Sequence, residues 1–128
     1  MTKEVIPIFS ILGSGVFLLF GTWNMLLMVL IIAVFLDYMA GIAVAIIKKE
    51  LSSSLGYRGI MKKVLIFVLV AVAHILDTIL GTSYFIRNAT ILFYICNELI
   101  SVVENAGRAG IPIPNVIRKA LKLFKDQE

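Results

Sequence analysis

At 128 residues, with 60% hydrophobic residues, 16% charged residues and a mean hydropathy of +1.00, the chain is too apolar for an ordinary water-soluble domain. Twelve Lys and Arg against eight Asp and Glu give a net charge of +4 at pH 7, but the cations fall into separate clusters. That distribution points to membrane orientation and away from nucleic acid as a partner.

Residues 5–36 carry no charge. A single helix of that length would measure about 48 Å against a hydrocarbon core of about 30 Å, so the run must divide. Gly21, Thr22 and Asn24 around Trp23 mark the division, because Gly and Asn favour turns and Trp favours the membrane interface. The first piece, residues 5–20, offers only about 24 Å of helix and contains Pro7, Gly13 and Gly15. It is marginal as a span: crossing, re-entry and an interfacial position all stay open. A cleaved signal peptide is disfavoured, since Glu4 offsets Lys3 and no Ala-x-Ala site precedes Trp23.

The second piece, residues 23–47, is the clearest span, interrupted only by Asp37 and stopped by Lys48 and Lys49. A third, residues 64–80, follows Lys62 and Lys63, holds His74 and Asp77, and ends at Gly81. The fourth, residues 88–103, gives way to Gly107, Gly110, Pro112 and Pro114. It holds Cys96, whose solitary thiol excludes an intramolecular disulfide and reads as a small buried hydrophobe. Residues 114–128 form a basic amphipathic tail, with Val116, Ile117, Ala120, Leu121 and Phe124 on one face and Arg118, Lys119, Lys122 and Lys125 on the other. That is the pattern of a helix lying on an anionic leaflet. The expected class is an all-α membrane protein of three to four transmembrane helices plus a C-terminal amphipathic cytoplasmic helix, a single domain over residues 1–128.

Orientation follows from the cations. The connection 48–63 carries Lys48, Lys49, Arg58, Lys62 and Lys63, the region beyond the last span carries Arg108 and the tail cations, and the connection 81–87 carries Arg87 alone. Both basic segments are therefore placed on the cytoplasmic side with their cations at the membrane surface, the C-terminus included.

Asp37, Asp77 and Glu98 are expected to face protein or water, because an ionised group at a span centre costs about 2.5–3.5 kcal/mol on insertion scales. Ala33, Asp37, Gly41 and Ala45 recur at i, i+4 spacing, and Ala73, Asp77 and Gly81 repeat the pattern. Small residues so spaced let a second helix approach closely, which makes both stripes candidate packing faces. On the fourth span Thr90, Tyr94, Asn97, Glu98, Ser101, Glu104, Asn105 and Arg108 form one long polar face. Counted from the basic anchors, Asp37 and His74 each lie about 15 Å deep, with Glu98 at a similar depth from the other side. The three are expected near one level, either bonding helix to helix or lining an aqueous opening, and the acids are candidate triggers once water reaches them. His74 has no second His or Cys nearby for a metal. No nucleotide, hydrolase or metalloprotease motif occurs, so neither catalytic residues nor a cofactor are expected.

These residues form an ordered set: Leu36-Asp37-Tyr38-Met39-Ala40-Gly41, then Ser52-Ser53-Ser54-Leu55-Gly56-Tyr57-Arg58-Gly59 leading to Lys62-Lys63, then Asp77, Asn97-Glu98-Leu99-Ile100-Ser101 through Glu104-Asn105, and Gly110-Ile111-Pro112-Ile113-Pro114. In order and spacing the set resembles the phage lysis and toxin secretion holins of Firmicutes phages and prophages, including the clostridial toxin-release holin. The resemblance runs from Gly21 onward, departing at Ala40, where Thr is common, and at Asn24, where an acid is common. It implies a multi-pass protein of the bacterial cytoplasmic membrane that contacts lipid and oligomerises with itself into lesions. Through these an endolysin or toxin would leave the cell without obligatory direct contact. A small ion or proton conductor using Asp37, His74 and Glu98 as relay groups, and an antiholin that restrains a partner, are the alternatives.

Overall fold

In the computed structural model, described for residues 2–125, the chain is α1 (Thr2–Phe20), α2 (Met25–Ile47), α3 (Ser53–Leu80), α4 (Phe85–Arg108) and α5 (Asn115–Lys125). No strand occurs among the described residues. Helices α1 to α4 are each long and apolar enough to cross a bilayer.

The boundaries have local causes. The Asn24 side chain accepts a hydrogen bond from the Leu27 N–H at 3.0 Å, capping α2, and Ser52 Oγ does the same for Leu55 at 3.1 Å on α3. Gly81 closes α3 in the left-handed conformation (φ 68°). Beyond α4, Pro112 and Pro114 prevent the helix from continuing. Pro7 sits in the second turn of α1 without ending it.

One expectation is corrected. The connection 48–63 is mostly helix, because α3 begins at Ser53, eleven residues before the apolar run starts at Val64. Its charges do not oppose helix formation: a capping Ser opens it, and Lys and Arg carry apolar stems that lie along a helix while their heads reach water. Helix α4 likewise runs on to Arg108, with Glu98, Ser101 and Asn105 of its polar face turned toward α2 and α3.

Helices α2, α3 and α4 pack together around Leu27, Leu30, Val34, Ile66, Val70, Ile91 and Ile95, with α2 against α4 the most extensive contact. Helix α1 buries no residue and runs beside α3, meeting it through an edge-to-face contact of Phe20 with Phe67 at 6.4 Å. The outward faces are strongly apolar: Phe35 is 62% exposed, Leu65 58% and Ile79 72%. Water would penalise such a surface, whereas lipid is its natural solvent.

Candidate functional site

Three helices each contribute one charged side chain to a single cluster. Lys63 on α3 reaches Asp37 Oδ2 on α2 at 2.5 Å and Glu98 Oε2 on α4 at 2.6 Å. The acid side chains are 6% and 3% exposed, and that of Lys63 is 21% exposed. Asn105 Nδ2 donates to the other Asp37 oxygen at 3.3 Å. The small-residue stripe explains the approach. Ala33 and Ala45 are buried on the same face as Asp37, and a Cβ at Gly41 would lie 3.9 Å from Asn105 Nδ2, so α4 comes close along this line. Beside the cluster lies a cavity of about 470 Å³, bordered by Tyr38, Arg58, Lys62, Ser101, Asn105 and Arg108. The site therefore combines a half-buried cation held by two buried carboxylates with an adjoining cavity that carries further polar side chains. A buried ion pair is a poor source of net stability, but losing one partner is expensive.

A second polar assembly occupies the opposite end of α3. Asp77, buried to 2% exposure, accepts hydrogen bonds from Thr82 Oγ1 and from the backbone N–H groups of Ile86 (2.9 Å) and Arg87 (2.8 Å). Its carboxylate thus sits on the positive N-terminal end of α4. Arg87, fully buried, donates to the carbonyls of Phe20 (2.6 Å) and Thr22 (3.0 Å), satisfying the end of α1. Its guanidinium lies 4.0 Å from the Tyr84 ring centroid, and His74 stacks on Tyr84 at 5.6 Å. The Thr22 N–H donates to Tyr84 Oη at 3.1 Å, and Thr22 with the nearby guanidinium pulls the phenol below its ordinary pKa. His74 Nδ1 is buried without a hydrogen-bond partner among the described residues.

Several expectations change here. Lys63, assigned to the membrane surface, turns inward. His74 does not join Asp37 and Glu98: Lys63 already occupies their level, and eleven residues of helix carry His74 about 16 Å beyond it. Lys62 and Lys63 do not end the helix, because α3 continues ten residues further back. The separation also removes the geometry for a relay through Asp37, His74 and Glu98. Of the α4 polar face, Ser101 is half-buried at the cavity, whereas Asn97 and Glu104 point outward and are exposed. Gly81 is no packing glycine: a Cβ there would meet nothing within 4 Å, and the residue serves the helix end.

Lys48, Lys49, Arg58 and Lys62 are exposed, as are Arg118, Lys119 and Lys122 on α5. Lys125 closes α5, and its side chain lies outside the described part. Arg87, one charge of the connection in the sequence, is a buried bridge between α4 and the end of α1. Its signal in the sequence is its isolation, one cation in an otherwise uncharged stretch between two apolar runs.

The bacteriophage holin family matches residues 14–126 of the chain. The chain belongs to this family. A relative described as a probable holin, from Bacillus phage phi105, is 36% identical over 107 residues, covering 84% of this chain and 78% of its own. Uncharacterized proteins of Listeria monocytogenes (44% over 123 residues, 94% of this chain and 88% of theirs) and Halalkalibacterium halodurans (41% over 124 residues, 93% and 92%) are similar throughout. No solved structure matches. In this holin-family chain the Asp37, Lys63 and Glu98 segments that carry the sequence resemblance are the three that converge on the ion cluster.

Proposed function

We propose that this holin-family protein is itself a holin. It oligomerises with itself in the bacterial cytoplasmic membrane, the basic end of the bundle facing the cytoplasm, into lesions that depolarise the cell and let an endolysin cross. The chain acts as one membrane domain with α5 as a basic surface tail, and needs neither catalytic residue nor cofactor. The endolysin passes without an obligatory contact, and a secreted toxin of similar bulk would pass by the same route.

The observation that carries this reading is the Asp37–Lys63–Glu98 cluster. While the three helices stay packed, the charges satisfy one another. Drawn apart in lipid, each would cost about 2.5–3.5 kcal/mol. Partial separation is therefore unfavourable, and separation becomes acceptable only when water reaches all three groups together, as in a wetted lumen. Such a device suits a protein that accumulates quietly and opens abruptly. The apolar α1, none of whose residues is buried, offers surface for neighbouring copies.

The test is induction in bacteria, with and without an endolysin that lacks a secretion signal. Abrupt lysis in the combined culture alone, with depolarisation in both, is the expected result. Ion leakage without endolysin release would support a conductor, and delayed killing beside a second holin would support an antiholin; either outcome removes the proposal.

A further inference from the structure

Helices α2 and α3 are the least extensively packed pair within the three-helix bundle, and two cavities meet along their seam. The polar one, of about 470 Å³, carries Arg58, Lys62 and Arg108. The other, of about 310 Å³, is an apolar groove between Ile31, Val34 and Phe35 of α2 and Ile60, Val64 and Phe67 of α3. Tyr38, packed on Gly59, and Lys63, paired with Asp37, line both and stand between them, so polar cavity and apolar groove adjoin along one seam.

The geometry points to a binding site for one anionic phospholipid, its phosphodiester held by Arg58 and Lys62 and one acyl chain laid in the groove. Charge decides the class of ligand. Lys63 is committed to Asp37 and Glu98, and Arg108 lies 3.7 Å from Glu50, but Arg58 and Lys62 form no ion pair among the described residues. The rim thus holds two cations in surplus, stacked one helical turn apart. A zwitterionic lipid would leave that surplus uncompensated, and a soluble phosphate would leave the groove empty. Only a molecule with an anion at one end and hydrocarbon at the other fills both, and basic pockets between spans are general receivers of anionic headgroups. Position agrees, since Arg58 lies in the second turn of α3, near the end of a span where headgroups sit. The site requires only that these helices lie in a bilayer, so it stands or falls apart from lesion formation.

The test uses the purified full chain in detergent, titrated with phosphatidylglycerol, with phosphatidylcholine of the same chains and with glycerol 3-phosphate, and followed by native mass spectrometry. One phosphatidylglycerol per chain is expected, bound in preference to the other two probes. Arg58→Gln with Lys62→Gln, both at exposed positions, weakens it about 30-fold. Ile60→Trp, which fills the groove, weakens it about tenfold and leaves glycerol 3-phosphate unchanged. Equal binding of phosphatidylcholine, glycerol 3-phosphate as tight as the lipid, or unaltered phosphatidylglycerol affinity in the double variant would each overturn the assignment.

Discussion

Replacing Lys63 by Met keeps an unbranched apolar stem and removes the ammonium, leaving Asp37 and Glu98, 6% and 3% exposed, without their shared cation. Asp37 retains the Asn105 amide at 3.3 Å, which offsets only a fraction of the loss. Removing one partner from a buried ion pair costs about 3–5 kcal/mol. The 21% exposure of Lys63 and the adjoining cavity of about 470 Å³ let water reach the site, which places the expected loss at the lower end, about 3 kcal/mol. The triple variant Lys63→Met, Asp37→Asn, Glu98→Gln carries no charge there and should recover about 2 kcal/mol, since neutral amides are far less costly to bury than unpaired carboxylates. Reversible unfolding in mixed dodecyl sulfate micelles, followed by helical circular dichroism, measures both. A single variant within about 1 kcal/mol of the parent, or a triple variant no more stable than the single, would refute the idea that mutual pairing holds these charges in place.

Other consequences follow from the opposite end. Asp77→Ala removes the acceptor for three donors at the start of α4 and should lower stability by about 1–3 kcal/mol in the same assay. Arg87→Met releases the carbonyls of Phe20 and Thr22, so hydrogen exchange should accelerate at residues 17–24 while the α2–α4 core stays protected. Gly21→Ala and Gly81→Ala both place a side chain at positive φ, at about 1–2 kcal/mol each. Only at Gly21 would the new Cβ also press on Tyr84 Cε1 at 2.5 Å and His74 Cε1 at 2.9 Å, so Gly21→Ala should be clearly the more damaging in thermal unfolding.

The helices themselves were largely legible. The division near Trp23, the stop at Lys48 and the break at Gly81 all rest on local chemistry, and α2, the end of α3 and the start of α5 lie within two residues of expectation. The start of α3 was not legible, because a window of charge and Ser-Ser-Gly looks like a loop when the benefit of packing is out of view. Asp37 and Glu98 stood out as buried acids, but their partner did not: nothing in the local sequence distinguishes Lys63, which turns inward, from Lys62, which faces solvent. Arg87 stayed hidden for a similar reason, since its partners are carbonyls sixty-five and sixty-seven residues away.

Taken alone, the amino-acid order determined that the chain belongs in lipid, where most of its rods end and which faces are small or polar. Those properties are set by composition and by interactions reaching three or four residues. Tertiary structure alone decided how far each rod slides and turns against its neighbours. Each residue of axial offset moves a side chain about 1.5 Å along the helix and each step rotates it by about 100°, so the packing of α2 on α4 and of α3 beside them is what brings Lys63 between two carboxylates and sends His74 to the far end.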